Sequence, residues 1–185
     1  VLMLGLLQAG DQAYGSLRKG FYGLRATLLI LVFMALLRIR TPEQLQGHPP
    51  GELGVLLGLD RAPEVKTLRR KLWEVAARRQ ATAFSRRLAE EWVGAEADAV
   101  GLLYVDGHVR PYHGTAVTLP KAYVTRRRLC MPATTDIWVH QRDAQPLFVV
   151  TAPANDDLLA MLRTAVLPEM RRLVGDRRVP VVFDR

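Results

Sequence analysis

The sequence predicts a mixed α+β protein, in which a helical amino-terminal part is followed by a smaller α/β part. Apolar residues recur with helical spacing through residues 51–93. Short apolar runs of strand length, separated by turn residues, occupy 100–105, 134–140, 146–151 and 179–183. A turn-rich stretch at residues 41–51 marks a boundary. We therefore expect a hydrophobic helical segment (1–40), a second helical region (41–93) and an α/β domain (94–185).

The first segment contains the most apolar run of the chain, residues 26–37 (ATLLILVFMALL), between Arg25 and Arg38. A helix that spans a bilayer needs about 20 apolar residues, and this run is shorter. It also lacks a signal-peptide cleavage pattern. We expect a helix buried in a protein core and no membrane partner.

Three helices are expected in the second region. A short helix fits residues 52–57 and is followed by a turn at 58–60. A longer one fits 63–78, since proline suits a first helical turn and Glu64 complements the helix dipole there. A third fits 79–93, with apolar residues on one face.

The α/β domain reads as a strand, a long insertion, a hairpin, a helix and a last strand. The hairpin joins 134–140 to 146–151 through a polar turn. Asn155 is expected to cap the helix, which is broken at Pro168 and ended by Gly175. A strand that follows such a helix should lie parallel to a neighbour in the sheet.

Charge and cysteine content limit the function. The chain has 26 Lys+Arg against 18 Asp+Glu, a net charge of +8. This favours a polyanionic partner such as nucleic acid, or an anionic membrane surface, and the alternative is a merely basic protein. The single cysteine, Cys130, excludes an intramolecular disulfide framework and a cysteine-rich zinc site, and it suits the cytoplasm.

Two aspartates directly follow apolar strands: Asp106 in YVDG and Asp184 in VVFDR. If the two strands are parallel neighbours, both carboxylates emerge at one edge of the sheet, where α/β proteins bind ligands. Two carboxylates there repel each other unless a cation separates them, and Mg²⁺ (or Mn²⁺) prefers oxygen ligands. The alternative is two ordinary turn residues.

The runs 103–110 (LYVDGHVR) and 181–185 (VVFDR) resemble the catalytic domain of DDE-type transposases of bacterial insertion sequences, as do 119–121 (LPK), 136–139 (DIWV) and 148–150 (FVV). The resemblance covers about residues 41–185. It implies a ribonuclease-H-like domain with Asp106 and Asp184 as catalytic, metal-binding residues. The third acidic residue of that family lies on a later helix, so we expect a domain truncated at its carboxyl end.

The resemblance also implies an activity. This is Mg²⁺-dependent cleavage and transfer of DNA strands, with element ends and target DNA as partners, compatible with a homo-oligomer. Two other interpretations stay open. One is a DNA-binding protein or decayed transposase without catalysis. The other is an α/β enzyme that acts on small phosphate esters.

Residues 51–75 resemble a helix-turn-helix, although the connection is longer than usual. Lys66, Thr67, Arg70 and Glu74 project opposite the apolar stripe of the second helix. Arg69 and Lys71 flank that face. Such a helix places these side chains against DNA. The alternative is a solvated basic face.

A second basic cluster, Arg126, Arg127 and Arg128, lies in the insertion after the first strand and could hold phosphates, with Lys121 and Arg110 nearby in sequence. His108, two residues past Asp106, is expected to be an ordinary turn residue, and the alternative is a contact with a phosphate or a water. Asp136 is expected to face solvent, and the alternative is a place in the acidic cluster with Asp106. The other histidines, His48, His113 and His140, have no metal-ligand spacing.

Overall fold

The computed structural model describes residues 5–18, 20–95, 101–125 and 127–183. The chain divides into two compact units, Val1–Leu88 and Ala89–Arg185. The first consists of helices and the second is built around a five-stranded sheet, so the predicted α+β class is confirmed.

The first unit is helical. Its elements are α1 (Leu6–Tyr14), α2 (Leu24–Leu36), a 3-10 helix (Pro42–Gly47), α3 (Pro50–Leu56), α4 (Val65–Ala77) and the first part of α5 (Ala81–Ala95). Thr41 starts the 3-10 helix with a capping box, in which its side chain and that of Gln44 satisfy each other's backbone N–H groups.

The core of this unit joins α2 to the helices that follow it. Ile30 and Met34 of α2 pack with Leu45, Leu53 and Leu68, all nearly inaccessible to solvent. The run predicted to be a buried helix therefore lies with one side in a protein core. No helix of the described part of the chain has the length and apolar character that a membrane span requires.

The helix boundaries differ from the prediction at the amino ends. The α3 helix starts at Pro50, and α4 starts at Val65 because Glu64 has an extended backbone. The α5 helix runs over Ala81–Ala95, after Arg79 in the left-handed region (φ 52°). The apolar stripe of α4 is as predicted, with Leu68 buried at its centre.

The described part of the second unit contains five strands. They are β1 (Leu103–Pro111), β2 (Lys121–Val124), β3 (Leu129–Gln141), β4 (Pro146–Pro153) and β5 (Val181–Phe183). The β3–β4 pair is the predicted hairpin, and β3 also pairs antiparallel with β1 and β2. The β2 strand was not predicted, and it occupies part of what the sequence presented as an insertion.

The last strand lies beside the first. The β5 strand pairs in parallel with β1, with Leu103 opposite Val181 and Val105 opposite Phe183. The predicted parallel neighbour is therefore confirmed. The path through the sheet runs β4–β3–β1–β5, and the crossover from β4 to β5 is helical.

This crossover helix covers one face of the sheet. It comprises α6 (Leu158–Met161), a π-helical turn (Leu162–Val166) and α7 (Leu167–Val174). Its residues Met161, Val166 and Met170 form a core with strand residues such as Leu103 and Ile137. Because side chains alternate along a strand, the residues between these core positions lie on the opposite face.

The cap and the break of this helix have identifiable causes. Asp157, and not the predicted Asn155, caps it: its side chain accepts a hydrogen bond from Leu159 N at 3.0 Å. The predicted irregularity falls just before Pro168, as a π-helical turn that accommodates the missing N–H and the bulk of the proline ring. Gly175 ends the helix with φ 63°, as predicted.

Candidate active site and nucleic-acid interface

A row of polar side chains lies on the sheet face that the crossover helix leaves uncovered. Leu103 and Val105 of β1 are buried in the core, so the alternating positions Tyr104, Asp106 and His108 belong to the other face, and all three are exposed. We call this the polar face. It is the candidate active site of the second unit.

Asp106 lies inside β1 and not after its end. The sequence predicted a strand over 100–105, but β1 continues to Pro111 because every residue from 103 to 111 pairs with β3. Inside the strand, the Asp106 carboxylate is exposed and lies on the same face as Tyr104. His108 is likewise a strand residue, and Asp136 lies opposite it.

The second predicted carboxylate, Asp184, lies outside the described residues, as does Arg126. In the sequence Asp184 directly follows Phe183, the last residue of β5. Phe183 pairs with Val105, the neighbour of Asp106. Within the described residues no group of three or more His, Cys, Asp or Glu side chains is arranged to hold a metal ion.

Asp136 does not face solvent as expected. Its side chain is only 5% exposed and accepts a hydrogen bond from Thr151 Oγ1 at 2.7 Å. The Arg110 guanidinium lies against it as a fork, with Nε 3.2 Å from Oδ2 and Nη2 3.4 Å from Oδ1. This carboxylate is therefore engaged within the sheet and is not free to join Asp106.

Trp138 is a site residue that the sequence analysis did not single out. It pairs directly with Asp106 across the β1–β3 ladder, so both side chains lie on the polar face. Its ring stacks on that of His140, with centroids 6.1 Å apart and planes at 30°. Because side chains alternate along β3, the sequence indicates the face on which Trp138 lies. Its position opposite Asp106 follows only from the register between β1 and β3.

The cations of α4 divide into exposed and buried groups. Lys66 and Arg70 are exposed, Thr67 is half-buried, and Arg69 forms an ion pair with Glu43 of the 3-10 helix. Trp73 is also on this exposed side of α4, at 67% exposure. The exposed face is the part of the predicted DNA-reading helix that can reach a partner.

Lys71 lies elsewhere. Its side chain is 6% exposed, and its Nζ lies 3.1 Å from Glu74 Oε2 and donates to the Arg18 carbonyl at 3.0 Å. Glu74 in turn accepts a hydrogen bond from Arg18 N, and this bond lowers the pKa of the carboxyl below its ordinary value, with Lys71 acting in the same direction. Lys71 therefore anchors the segment before α2 to α4.

The second basic cluster sits at the turn between β2 and β3. Arg127 and Arg128 are exposed there, and Arg128 has a left-handed backbone (φ 53°) that closes the turn. Lys121 is exposed at the start of β2, and His113 is exposed after β1. The half-buried His48 belongs to the first unit, after the 3-10 helix.

A family model described as "Transposase protein" matches residues 1–180, which include Asp106, the exposed face of α4 and the β2–β3 turn. No curated protein and no solved structure matches the chain.

Proposed function

The chain belongs to the transposase protein family, and we propose that it binds DNA and that Asp106 and Asp184 hold Mg²⁺ or Mn²⁺ for the cleavage and transfer of DNA strands. The observation that carries this proposal is the position of Asp106. Its carboxylate is exposed on the polar face, on β1, which pairs in parallel with β5. Asp184 follows β5 directly in the sequence.

The topology of the second unit supports a ribonuclease-H-like domain of the DDE type found in insertion sequences. The β1, β3 and β4 strands are joined by antiparallel pairing. A helix then leads to β5, which lies parallel to β1. This is the order of strand, hairpin, helix and parallel strand that the apolar runs and turns of the sequence predicted, with the short β2 inserted.

The donor chemistry fits a hard divalent cation. Asp106 offers carboxylate oxygens, which are the ligands Mg²⁺ prefers, and the proposal requires a second carboxylate at position 184. Mg²⁺ would stabilise negative charge on the oxygens of the phosphodiester. Next on the same face as Asp106, His108 is exposed and could contact a phosphate or a water.

DNA binding is proposed at two sets of exposed cations. The first is the face of α4 that carries Lys66, Thr67, Arg69 and Arg70, acting as the second helix of a helix-turn-helix. The second is the β2–β3 turn with Arg127 and Arg128, and Arg126 in sequence, as contacts to phosphates. Lys71 is left out because intramolecular contacts hold its ammonium group.

The experiment that tests this proposal compares the full chain with Asp106→Asn. Fluorescence anisotropy would measure binding to a labelled DNA duplex, and agarose gels would measure nicking of a supercoiled plasmid in Mg²⁺ or Mn²⁺. We expect both proteins to bind DNA with an affinity that falls as salt rises, and only the wild type to nick. Asp143→Asn, an exposed carboxylate in the β3–β4 turn, is the matched control.

The remaining outcomes separate the alternatives. Salt-dependent DNA binding without nicking by any variant supports a DNA-binding protein without catalysis, which rests on the same exposed cations of α4. Absent or salt-insensitive DNA binding supports an enzyme that acts on small phosphate esters. Equal nicking by wild type and Asp106→Asn contradicts the role of Asp106.

A further inference from the structure

The Arg110–Asp136–Thr151 contacts on the polar face have no part in the function proposed above. Asp136 is a buried acidic residue, yet it takes no part in the apolar core on the other side of the sheet. Burying a carboxylate costs free energy unless charged and hydrogen-bonding partners compensate. Here Thr151 and Arg110 provide both kinds of partner.

The arrangement fixes an exposed guanidinium. The Arg110 side chain is 60% exposed although its Nε and Nη2 face the buried carboxylate. A guanidinium has five N–H donors, so this fork leaves three for another acceptor. Thr151 in turn fixes Asp136, because its hydroxyl donates to the Oδ1 atom that Nη2 also contacts.

The location of Arg110 indicates what that acceptor is. It lies on β1, on the same face as Asp106 and four residues along the strand, which corresponds to about 13 Å. Arg110 lies on the side of Asp106 where β1 pairs with the first half of β3. Farther on the same side, β3 begins after the β2–β3 turn, in which Arg127 and Arg128 are exposed. Basic groups therefore follow one line that starts at the candidate active site.

We propose that Arg110, held by Asp136 and Thr151, binds a backbone phosphate of the DNA strand that reaches Asp106. Arg110 is the contact residue, whereas Asp136 and Thr151 are positioning residues that act through it. The inference rests on the proposed function, since it assumes that DNA occupies the polar face.

The test measures the affinity of the full chain for a fluorescein-labelled DNA duplex over a range of NaCl concentrations, without divalent metal. We expect Arg110→Gln to weaken binding about tenfold and to reduce the slope of log affinity against log salt by about 0.9, the loss of one phosphate contact. Arg163→Gln removes the same charge from the exposed side of the crossover helix, and we expect it to retain the wild-type slope.

Asp136→Asn separates positioning from charge. This variant makes the protein one unit more positive, so charge alone predicts tighter binding to DNA. Loss of the fork predicts weaker binding, because Arg110 must then be ordered by the DNA. We expect weaker binding for Asp136→Asn and for the uncharged change Thr151→Val, with thermal unfolding measured for each.

Arg110→Lys, which keeps the charge without the fork, should restore the salt slope but only part of the affinity.

The outcomes distinguish this inference from the function on which it rests. If the wild type binds DNA with a salt-dependent affinity and Arg110→Gln behaves like Arg163→Gln, this inference is wrong and the proposed function stands. If Asp136→Asn folds and binds more tightly than wild type, the positioning role is wrong. If the wild type does not bind DNA, the proposed function itself fails.

Discussion

Lys66 and Lys71 occupy the same helix, yet their surroundings assign them different tasks. Lys66 is exposed on the face proposed to read DNA, whereas Lys71 is buried against Glu74 and the Arg18 carbonyl. A sequence shows only that both are basic and on α4. Which of them points to solvent depends on the segment of residues 14–18, which packs on this helix through long-range contacts.

We predict that Lys71→Met lowers the free energy of unfolding by about 3 kcal/mol, because it leaves Glu74 and a carbonyl without their buried partner. Lys66→Met should change that free energy by less than about 0.5 kcal/mol but weaken DNA binding. Urea denaturation and anisotropy measure the two effects. A Lys71→Met protein of wild-type stability with weakened DNA binding contradicts this division of roles.

Acid should weaken the same contact through Glu74. Its pKa is lowered from the ordinary 4.5 by the hydrogen bond from Arg18 N and then by Lys71, so the unfolded chain takes up a proton at higher pH than the folded chain. The stabilisation is complete above pH 4.5 and is lost as the pH falls through the folded pKa. We predict that Glu74→Gln loses less stability than wild type between pH 7 and pH 3, measured by urea denaturation.

Asp143→Asn is the control, since Asp143 is exposed in the β3–β4 turn. Its dependence of stability on pH should follow the wild type. If Glu74→Gln also follows the wild type, the contact with Arg18 does not stabilise the folded protein.

The sequence predicted the surroundings of Asp106 and Asp136 only in part. It placed Asp106 after the end of an apolar strand, whereas the structure places it inside β1, exposed on the polar face. For Asp136 the alternation of the strand gave the correct face, but its burial depends on Arg110 and Thr151 of two neighbouring strands. Partners contributed by other strands are not visible in the local pattern.

At the scale of elements, the residues at which helices and strands begin and end were harder to predict than their presence. The β1 strand continues past Asp106 because its backbone pairs with β3, and this pairing outweighs the turn signal of the Asp106-Gly107 dipeptide. The β2 strand was missed for a related reason. It has four residues and is stabilised by its antiparallel pairing with the first residues of β3.

The end of the crossover helix offers a test of local backbone preference. Gly175 has φ 63° and ψ −137°, a region that residues with a Cβ atom rarely adopt. We predict that Gly175→Ala lowers the free energy of unfolding by about 2 kcal/mol. Gly94→Ala should raise it by about 0.5 kcal/mol, since Gly94 lies in α5 with no atom near the added methyl group.

Both changes are measured by urea denaturation of the full chain. A Gly175→Ala protein as stable as wild type means that the crossover helix can end in another conformation. The sheet residues that it covers would then depend less on this terminus for their packing.

At the scale of the whole molecule, the order of strands and helices in the second unit, apart from β2, followed from the sequence. The apolar runs and the helix between them predicted a parallel pair, and β1 and β5 form it. The register could not be predicted, because it depends on how the whole sheet pairs. Register is what sets Trp138 opposite Asp106 and Asp136 opposite His108.

The family match agrees with the functional class that charge and motifs indicated, and it covers both units. The three-part division of the chain, the homo-oligomer and the helix-turn-helix stay predictions. The core of the first unit nevertheless joins residues from both sides of the first predicted boundary, such as Met34 and Leu68. Size-exclusion chromatography with light scattering would measure the oligomeric state.

The central claim is that Asp106 and Asp184 together hold a divalent cation. The most direct test is a titration of Mn²⁺ into the full chain, in which the electron paramagnetic resonance signal of the free ion measures binding. We predict that the wild type and Asp143→Asn bind Mn²⁺ and that Asp106→Asn and Asp184→Asn each lose it. Binding of Mn²⁺ by Asp106→Asn with the affinity of the wild type would contradict the claim.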